Sequence, residues 1–111
     1  SDIIIISAPI YNYGPPATLK AWSDLTARAG ETFRFKPNGR REGLLKNKKA
    51  YLVITSGGTK LNSKEDFLTP WLKFILNFFG IDNVQTISAD QMALDYEKSI
   101  KEAEKQIENI T

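Results

Sequence analysis

The chain has 111 residues, room for one compact core and too little for two. Hydrophobic residues at 41% and charged residues at 25% exclude a disordered polymer, and a net charge of +2 gives no reason to expect a nucleic-acid partner. With no cysteine and no histidine, disulfides, thiol nucleophiles, Cys/His zinc sites and a Ser-His-Asp triad are all excluded, so chemistry here needs a cofactor or another polypeptide.

No apolar stretch approaches the ~20 residues that cross a bilayer, so no membrane span is expected. Residues 1–2 lead straight into the isoleucines without a basic region or cleavage site, which sets cytoplasmic as the expected location.

Residues 2–7 form a continuous β-branched run without alternation, the pattern of a strand covered on both faces in a parallel sheet. Residues 8–16 follow as a loop rich in Pro, Gly, Asn and Tyr. Leu19, Trp22, Leu25 and Ala29 recur at helical spacing, which predicts a helix over 17–29 stopped by Gly30. Asp24 and Arg28, four apart, read as a surface ion pair.

Residues 31–49 read as a long irregular segment holding Phe33-Arg34-Phe35, a Pro37-Asn38-Gly39 turn signal and a basic tail of Arg40, Arg41, Lys46, Lys48 and Lys49. That tail lacks interleaved aromatics and reads as solvated surface. Phe33 and Phe35 either lid an aromatic substrate or anchor the segment to the core.

A second buried strand is predicted over 50–55, ending in Ser56-Gly57-Gly58-Thr59. Ser63 is expected to cap a helix from 64 or 65 to 79, with Asp66 as the third-position acid of a capping box. That helix has almost no polar face, which implies a further surface against it, most simply a second subunit. Residues 83–89 read as a shorter edge strand. A last helix over 93–109 carries the stripe Tyr96, Ile100, Ala103, Ile107 and Ile110.

The order strand, helix, strand, helix, strand, helix implies an α/β parallel sheet with right-handed crossovers. Ligands of such sheets bind beyond the carboxyl ends of the strands, which selects residues 8–16 and 56–63. In the first, Tyr11, Asn12 and Tyr13 suit a flat, partly polar ring; on spacing alone a plain connection whose tyrosines cap the core is the preferred reading. In the second, glycines let backbone amides approach a ring carbonyl or a phosphate, and a plain turn is again preferred. Neither G-x-G-x-x-G nor G-x-x-x-x-G-K-[ST] is present.

The segments Ala8-Pro9-Ile10-Tyr11-Asn12-Tyr13, Leu19-Lys20-Ala21-Trp22, Ala27-Arg28-Ala29-Gly30 and Thr32-Phe33-Arg34-Phe35 recur together with a characteristic second half. There stand Asn38-Gly39, Gly43-Leu44-Leu45, Thr55-Ser56-Gly57-Gly58, Leu68-Thr69-Pro70-Trp71-Leu72 and Phe79-Gly80-Ile81. Over nearly the whole chain this resembles the FMN-dependent NADH:azoreductase family, also described as NAD(P)H:quinone oxidoreductases of flavodoxin-like fold and, in an older label, acyl carrier protein phosphodiesterases.

The resemblance implies a three-layer flavodoxin-like domain of which residues 1–111 form one partial unit, the last three βα units of strand order 2-1-3-4-5. It implies FMN as cofactor, NADH or NADPH as donor, and a quinone or azo compound as the small aromatic acceptor. Ile10, Tyr11, Asn12 and Tyr13 would pack on the flavin ring and bond its pyrimidine edge, with Ser56, Gly57, Gly58 and Thr59 on the other side of that edge. Phe35 would line the substrate pocket, and a homodimer would share two sites. No metal site is implied.

Where many relatives have Arg after the serine this chain has Gly57, and Thr59 stands at a second glycine. The family's Ser-rich phosphate loop has no counterpart here, so the chain alone is expected to bind FMN poorly. The strand over residues 3–6 is expected to be an unpaired edge that invites another chain.

Overall fold

The structure is a computed structural model and describes residues 2–110. The three long strands run parallel in the order β1-β4-β5: β1 (Ile3–Pro9), β4 (Lys49–Thr55) and β5 (Asn83–Ala89). A separate antiparallel hairpin joins β2 (Phe33–Phe35) to β3 (Arg41–Gly43). The helices are α1 (Ala17–Thr26), α2 (Thr69–Phe79) and α3 (Tyr96–Glu108). The predicted parallel α/β order holds.

Register explains the core. Ile4, Ile6 and Ala8 pair with Ala50, Leu52 and Ile54, so their side chains share one face of the sheet. Against that face lie Leu68, Leu72 and Leu76, all fully buried. On the opposite face α3 packs along β5, where Ile87 and Ala89 are buried. Towards β1 that opposite face stays open: Ile3 and Ile5 are 55% and 68% exposed. β1 is therefore an edge, as expected, but it is covered on one face and not on two. β5, the other edge, is as long as the other two strands, against the shorter strand expected.

The edge of β5 is closed by a side chain. Gln106 accepts from the Ser88 N–H at 2.8 Å and returns a hydrogen bond to the Ser88 carbonyl at 3.2 Å, replacing one step of a missing strand. This turns α3 part of the way from the expected stripe, of which Ile100, Ala103 and Ile110 stay half-buried. Tyr96 and Ile107 face outward, while Ser99 is buried. Asp95 caps the helix by accepting from Lys98 N at 3.1 Å, so α3 begins three residues later than the sequence suggested. Gln106→Ala is expected to cost about 1–2 kcal/mol in urea unfolding and to raise self-association through the freed edge.

α1 stops at Thr26, short of the predicted residue 29. The Thr32 hydroxyl donates to the Thr26 carbonyl at 2.8 Å and accepts from Arg28 N at 3.0 Å, satisfying the helix end and bending the chain away. Arg28 therefore lies outside the helix and pairs with Glu31 at 2.9 Å; Asp24 pairs with Lys20 at 2.7 Å. Leu25 and Ala29 are exposed, and the residue turned inward is Ser23. Trp22 keeps an edge-on contact with Phe79, ring centroids 6.4 Å apart.

α2 begins at Thr69, not at residue 64 or 65, and Ser63 is not its cap. A helix started earlier would place Pro70 in its interior, where the ring meets the carbonyl four residues back. With Pro70 in the first turn, the missing N–H costs nothing. Asp66 does the capping: its carboxylate accepts from Leu68 N at 3.0 Å, Thr69 N at 2.9 Å and Asn62 N at 3.0 Å.

Residues 31–49, expected to be irregular, hold the hairpin instead. Gly39 has φ +83, its N–H donates to Lys36 O at 2.9 Å, and Lys36 N donates to Arg40 O at 2.7 Å. Glu42 binds both Arg34 and Lys36, and the hydrogen bonds from Lys36 and then Arg34 hold its carboxyl below the usual range. The hairpin covers part of the second apolar face of α2. Phe33 sits 4.6 Å from the Phe78 ring, and the Arg41 guanidinium lies over Phe74 and Phe78 at 5.1 and 5.5 Å. Phe67 and Phe74 remain exposed.

Candidate functional site

Pro9, Thr55 and Ala89 stand side by side in register, so the three strands end at one level. The loops that leave them are tied together. Ile10 N donates to Thr55 O at 2.8 Å, Ser56 N to Ala89 O at 3.2 Å, and Phe67 N to Tyr13 O at 2.8 Å. This is the ligand end of the sheet.

In the first loop, Tyr11 and Gly14 exchange both backbone hydrogen bonds at 3.0 Å around Asn12 (φ +47) and Tyr13 (φ +71). Two successive left-handed residues make a turn of the I′ kind, which asparagine tolerates and an aromatic residue adopts only with strain. The strain holds Tyr11 and Tyr13 out from the protein, 61% and 54% exposed. Among the described residues, nothing bonds the Asn12 side-chain amide. Ile10 behaves differently: it is buried in the core and anchors the loop from beneath.

Strain at a ligand site signals a conformation kept for a purpose. Tyr13→Gly is therefore expected to raise stability by about 0.5–1 kcal/mol in thermal unfolding while removing a ring from the ligand face.

In the second loop Ser56 is buried, its hydroxyl turned inward to the Thr59 carbonyl and to Gln91 N. Gly57 and Gly58 are exposed. A Cβ on Gly58 would meet nothing within 4 Å, and one on Gly57 only Ala93 at 3.9 Å, so both backbones lie open to a ligand. Their carbonyls are taken by Ala93 N and Gln91 Nε2. Among the described residues, no partner takes the N–H groups of Gly57, Gly58 or Thr59. The loop thus offers a row of hydrogen-bond donors without a positive side chain, a donor set suited to the carbonyl and ring-nitrogen edge of a heteroaromatic ring.

Behind this loop stands Asp66, buried but ionised. Burial pushes its carboxyl up, and hydrogen bonds from Thr69, Asn62 and Leu68 more than offset that, so the net direction is down. The Thr69 hydroxyl favours the charged form, although its geometry falls short of a full hydrogen bond.

Of the sequence-predicted site residues, Ile10, Tyr11, Asn12 and Tyr13 leave the end of β1 beside the end of β4, from which Ser56, Gly57, Gly58 and Thr59 leave. Phe35 does not join them. Its ring contacts Phe33, whose neighbour Phe78 lies at the carboxyl end of α2, whereas the loops meet the amino end. Eleven helical residues span about 16 Å. Phe35 stands 66% exposed on the hairpin. The two readings of the phenylalanines divide between them: Phe33 anchors, and Phe35 does not.

Sequence reasoning passed over the third loop, residues 90–95, whose backbone pins the second. Its signal was its place after the third strand, at the same ligand end. Phe67 also went unnoticed as a surface residue tied to Tyr13.

A family profile for the flavodoxin-like fold matches residues 1–110. The chain belongs to this family. This flavodoxin-like chain is 91% identical over 110 residues to the FMN-dependent NADH:quinone oxidoreductase of Pelagibacter ubique (strain HTCC1062), covering 99% of itself and 57% of that relative. It is 46% identical over 112 residues to the protein of the same name from Erythrobacter litoralis (strain HTCC2594), again at 99% of itself and 56% of the relative.

Among solved structures it is similar to an FMN-dependent NADH-azoreductase from Bacillus anthracis str. Ames Ancestor in complex with FMN. The TM-score is 0.87 at 29% identity, over 97% of this chain and 53% of that one. The resemblance drawn from the sequence motifs is borne out. The flavodoxin-like chain spans a little over half the length of these relatives, their carboxyl-terminal part. Among the described residues no helix is long and apolar enough to cross a membrane.

Proposed function

We propose that this chain provides the ring-binding half of an FMN-dependent NAD(P)H:quinone or azo oxidoreductase. The observation that carries the reading is the row of N–H groups at Gly57, Gly58 and Thr59 without a partner among the described residues, one loop away from two exposed tyrosines and the Asn12 amide. Bound FMN would supply hydride transfer between nicotinamide and acceptor. The chain's own residues bind and orient. Tyr11 and Tyr13 give an apolar wall, Asn12 and the three amides bond the pyrimidine edge, and Ile10 and Ser56 hold both loops from below. Rings held in register on such a surface lose little further freedom before reaction.

The relatives are named for NADH, which makes it the favoured donor over NADPH, and a cytoplasmic setting suits that supply. The phosphate of FMN would be held by the part of the relatives that this chain does not span; in this reading residues 1–111 form one partial domain whose first two βα units lie elsewhere. A homodimer completes the site. Phe35 stands too far from its own chain's loops to line their pocket, so its pocket role requires a second copy, and the exposed Phe67 and Phe74 supply apolar surface for the contact.

The exposed face of β1, where Ile5 is 68% exposed, favours a second reading: a non-catalytic module that packs against another chain and binds no flavin. One experiment separates the two. FMN fluorescence is followed on adding the chain alone, and on adding the chain joined to the amino-terminal part of the Pelagibacter relative. Quenching by the joined protein and bleaching of its flavin by NADH are expected. Free-flavin fluorescence in both mixtures would sink the oxidoreductase reading.

A further inference from the structure

The loop that offers the free amides is held from outside itself, by the segment after β5. Met92 N donates to the Ser56 carbonyl at 2.9 Å, Ala93 N to the Gly57 carbonyl at 2.8 Å, and Gln91 Nε2 to the Gly58 carbonyl at 3.4 Å. Gln91 N donates to Ser56 Oγ at 2.9 Å. Just beyond the glycines, the Asp90 carboxylate accepts from Leu61 N at 2.8 Å.

The consequence follows from peptide geometry. In a planar trans peptide the carbonyl of one residue and the N–H of the next point in opposite directions. Pinning the carbonyls of Ser56, Gly57 and Gly58 therefore aims the N–H groups of Gly57, Gly58 and Thr59 the other way. Those are the three donors left without partners among the described residues. Two adjacent glycines would otherwise let these peptide planes turn freely.

The holding segment is itself made rigid. The Ser99 hydroxyl, buried under it, donates to the Asp90 carbonyl at 2.6 Å. Gln91 sits at φ +55, a left-handed conformation that costs a residue with a Cβ about 1 kcal/mol. Leu94 N and Asp95 N both donate to its carbonyl, at 3.0 and 3.3 Å.

We infer that Asp90 and Gln91, seated on Ser99, are positioning residues that aim the Gly57, Gly58 and Thr59 amides at the acceptor edge of the flavin ring. This rests on the flavin reading above and adds to it the segment that sets the donor geometry. Asp90 acts through the loop.

The test combines amide hydrogen exchange on the 111-residue chain with FMN affinity of the joined protein described above, for Asp90→Ala and Asp90→Asn. Asp90→Ala is expected to speed exchange at Leu61, to leave Leu72 and Leu76 unchanged, and to weaken FMN binding roughly tenfold, the factor for one misaimed amide losing its hydrogen bond to the ring. Asp90→Asn keeps an acceptor oxygen and should restore most of that affinity.

FMN affinity that stays put while Leu61 is released would overturn the inference and leave the flavin reading standing. Equal acceleration at Leu61, Leu72 and Leu76 would show a merely structural role and overturn it too. If the joined protein with Asp90 intact fails to quench flavin, the flavin reading falls and this inference with it.

Discussion

Gly43→Ala should lower stability by about 3 kcal/mol or more, a loss of roughly 10–20 °C in thermal midpoint for a chain of this size. An added Cβ would stand 2.1 Å from the Gly80 nitrogen and 2.4 Å from the Gly80 Cα and the Phe79 carbonyl carbon. All three are backbone atoms, so no side chain can swing aside. Gly80 cannot retreat either, since it ends α2 at φ +104 and its own Cβ position is hemmed in by Gly43 and Leu45.

The hairpin must then part from the helix. Its Leu45 N to Phe79 O hydrogen bond, 2.8 Å, would break, and the stack of Phe33 and Arg41 on Phe78 would go with it. Thermal unfolding by circular dichroism, with the near-ultraviolet aromatic signal recorded alongside, measures both effects. A midpoint and aromatic signal unchanged by the substitution would contradict the close approach of the two glycines.

The second large effect belongs to Asp66. Asp66→Ala should cost about 2–4 kcal/mol at neutral pH, because the N–H groups of Asn62, Leu68 and Thr69 would be left without their acceptor near the core. Asp66→Asn, which keeps one acceptor oxygen, should cost less. The sign of the pH dependence follows from the direction of the shift. The folded state holds the Asp66 carboxyl below its ordinary value, so the stabilisation is present above the unfolded pKa and disappears as pH falls through the lowered folded value. The gap between the native chain and Asp66→Ala in urea unfolding should therefore be widest near neutrality and close in strong acid. A gap that widens on acidification would show that the carboxylate is not the stabilising form.

Both positions bear on what could be read in advance. The three parallel strands were legible because runs such as residues 50–55 are apolar and β-branched without a break, a pattern that needs no knowledge of neighbours. The place of the two loops at the ligand end was legible for the same reason: in an alternating α/β order they can only follow the strand ends. The start of α2 was also open to reading, since Pro70 forbids an earlier one, but the Ser63 capping pattern competed with it and was wrong. The end of α1 was not open to reading in that way. Its carbonyl at Thr26 is satisfied by Thr32, six residues on, which local helix signals do not report.

The buried face of α1 and α3 was read only in part, because apolar periodicity marks which face can be buried and not which face meets a partner. On α3, Gln106 and Ser99 were drawn inward by the open backbone of β5 and of residue 90, overriding the stripe of Tyr96 and Ile107. Phe35 stands apart from the loops of its own chain because the hairpin meets the carboxyl end of α2, a contact that local sequence does not report.

By itself, then, the sequence determined the alternation of strands and helices, the loops at the ligand end and the exclusion of histidine or cysteine chemistry, all of which depend on residue type and short-range pattern. The tertiary structure decided three further things. It set Gly43 against Gly80, it left β1 open on one face, and it turned the Gly57, Gly58 and Thr59 amides outward by fastening their neighbouring carbonyls to residues 91–93. Each of these is a contact between segments far apart in the chain, and the free energy that fixes it exists only once both segments are in place.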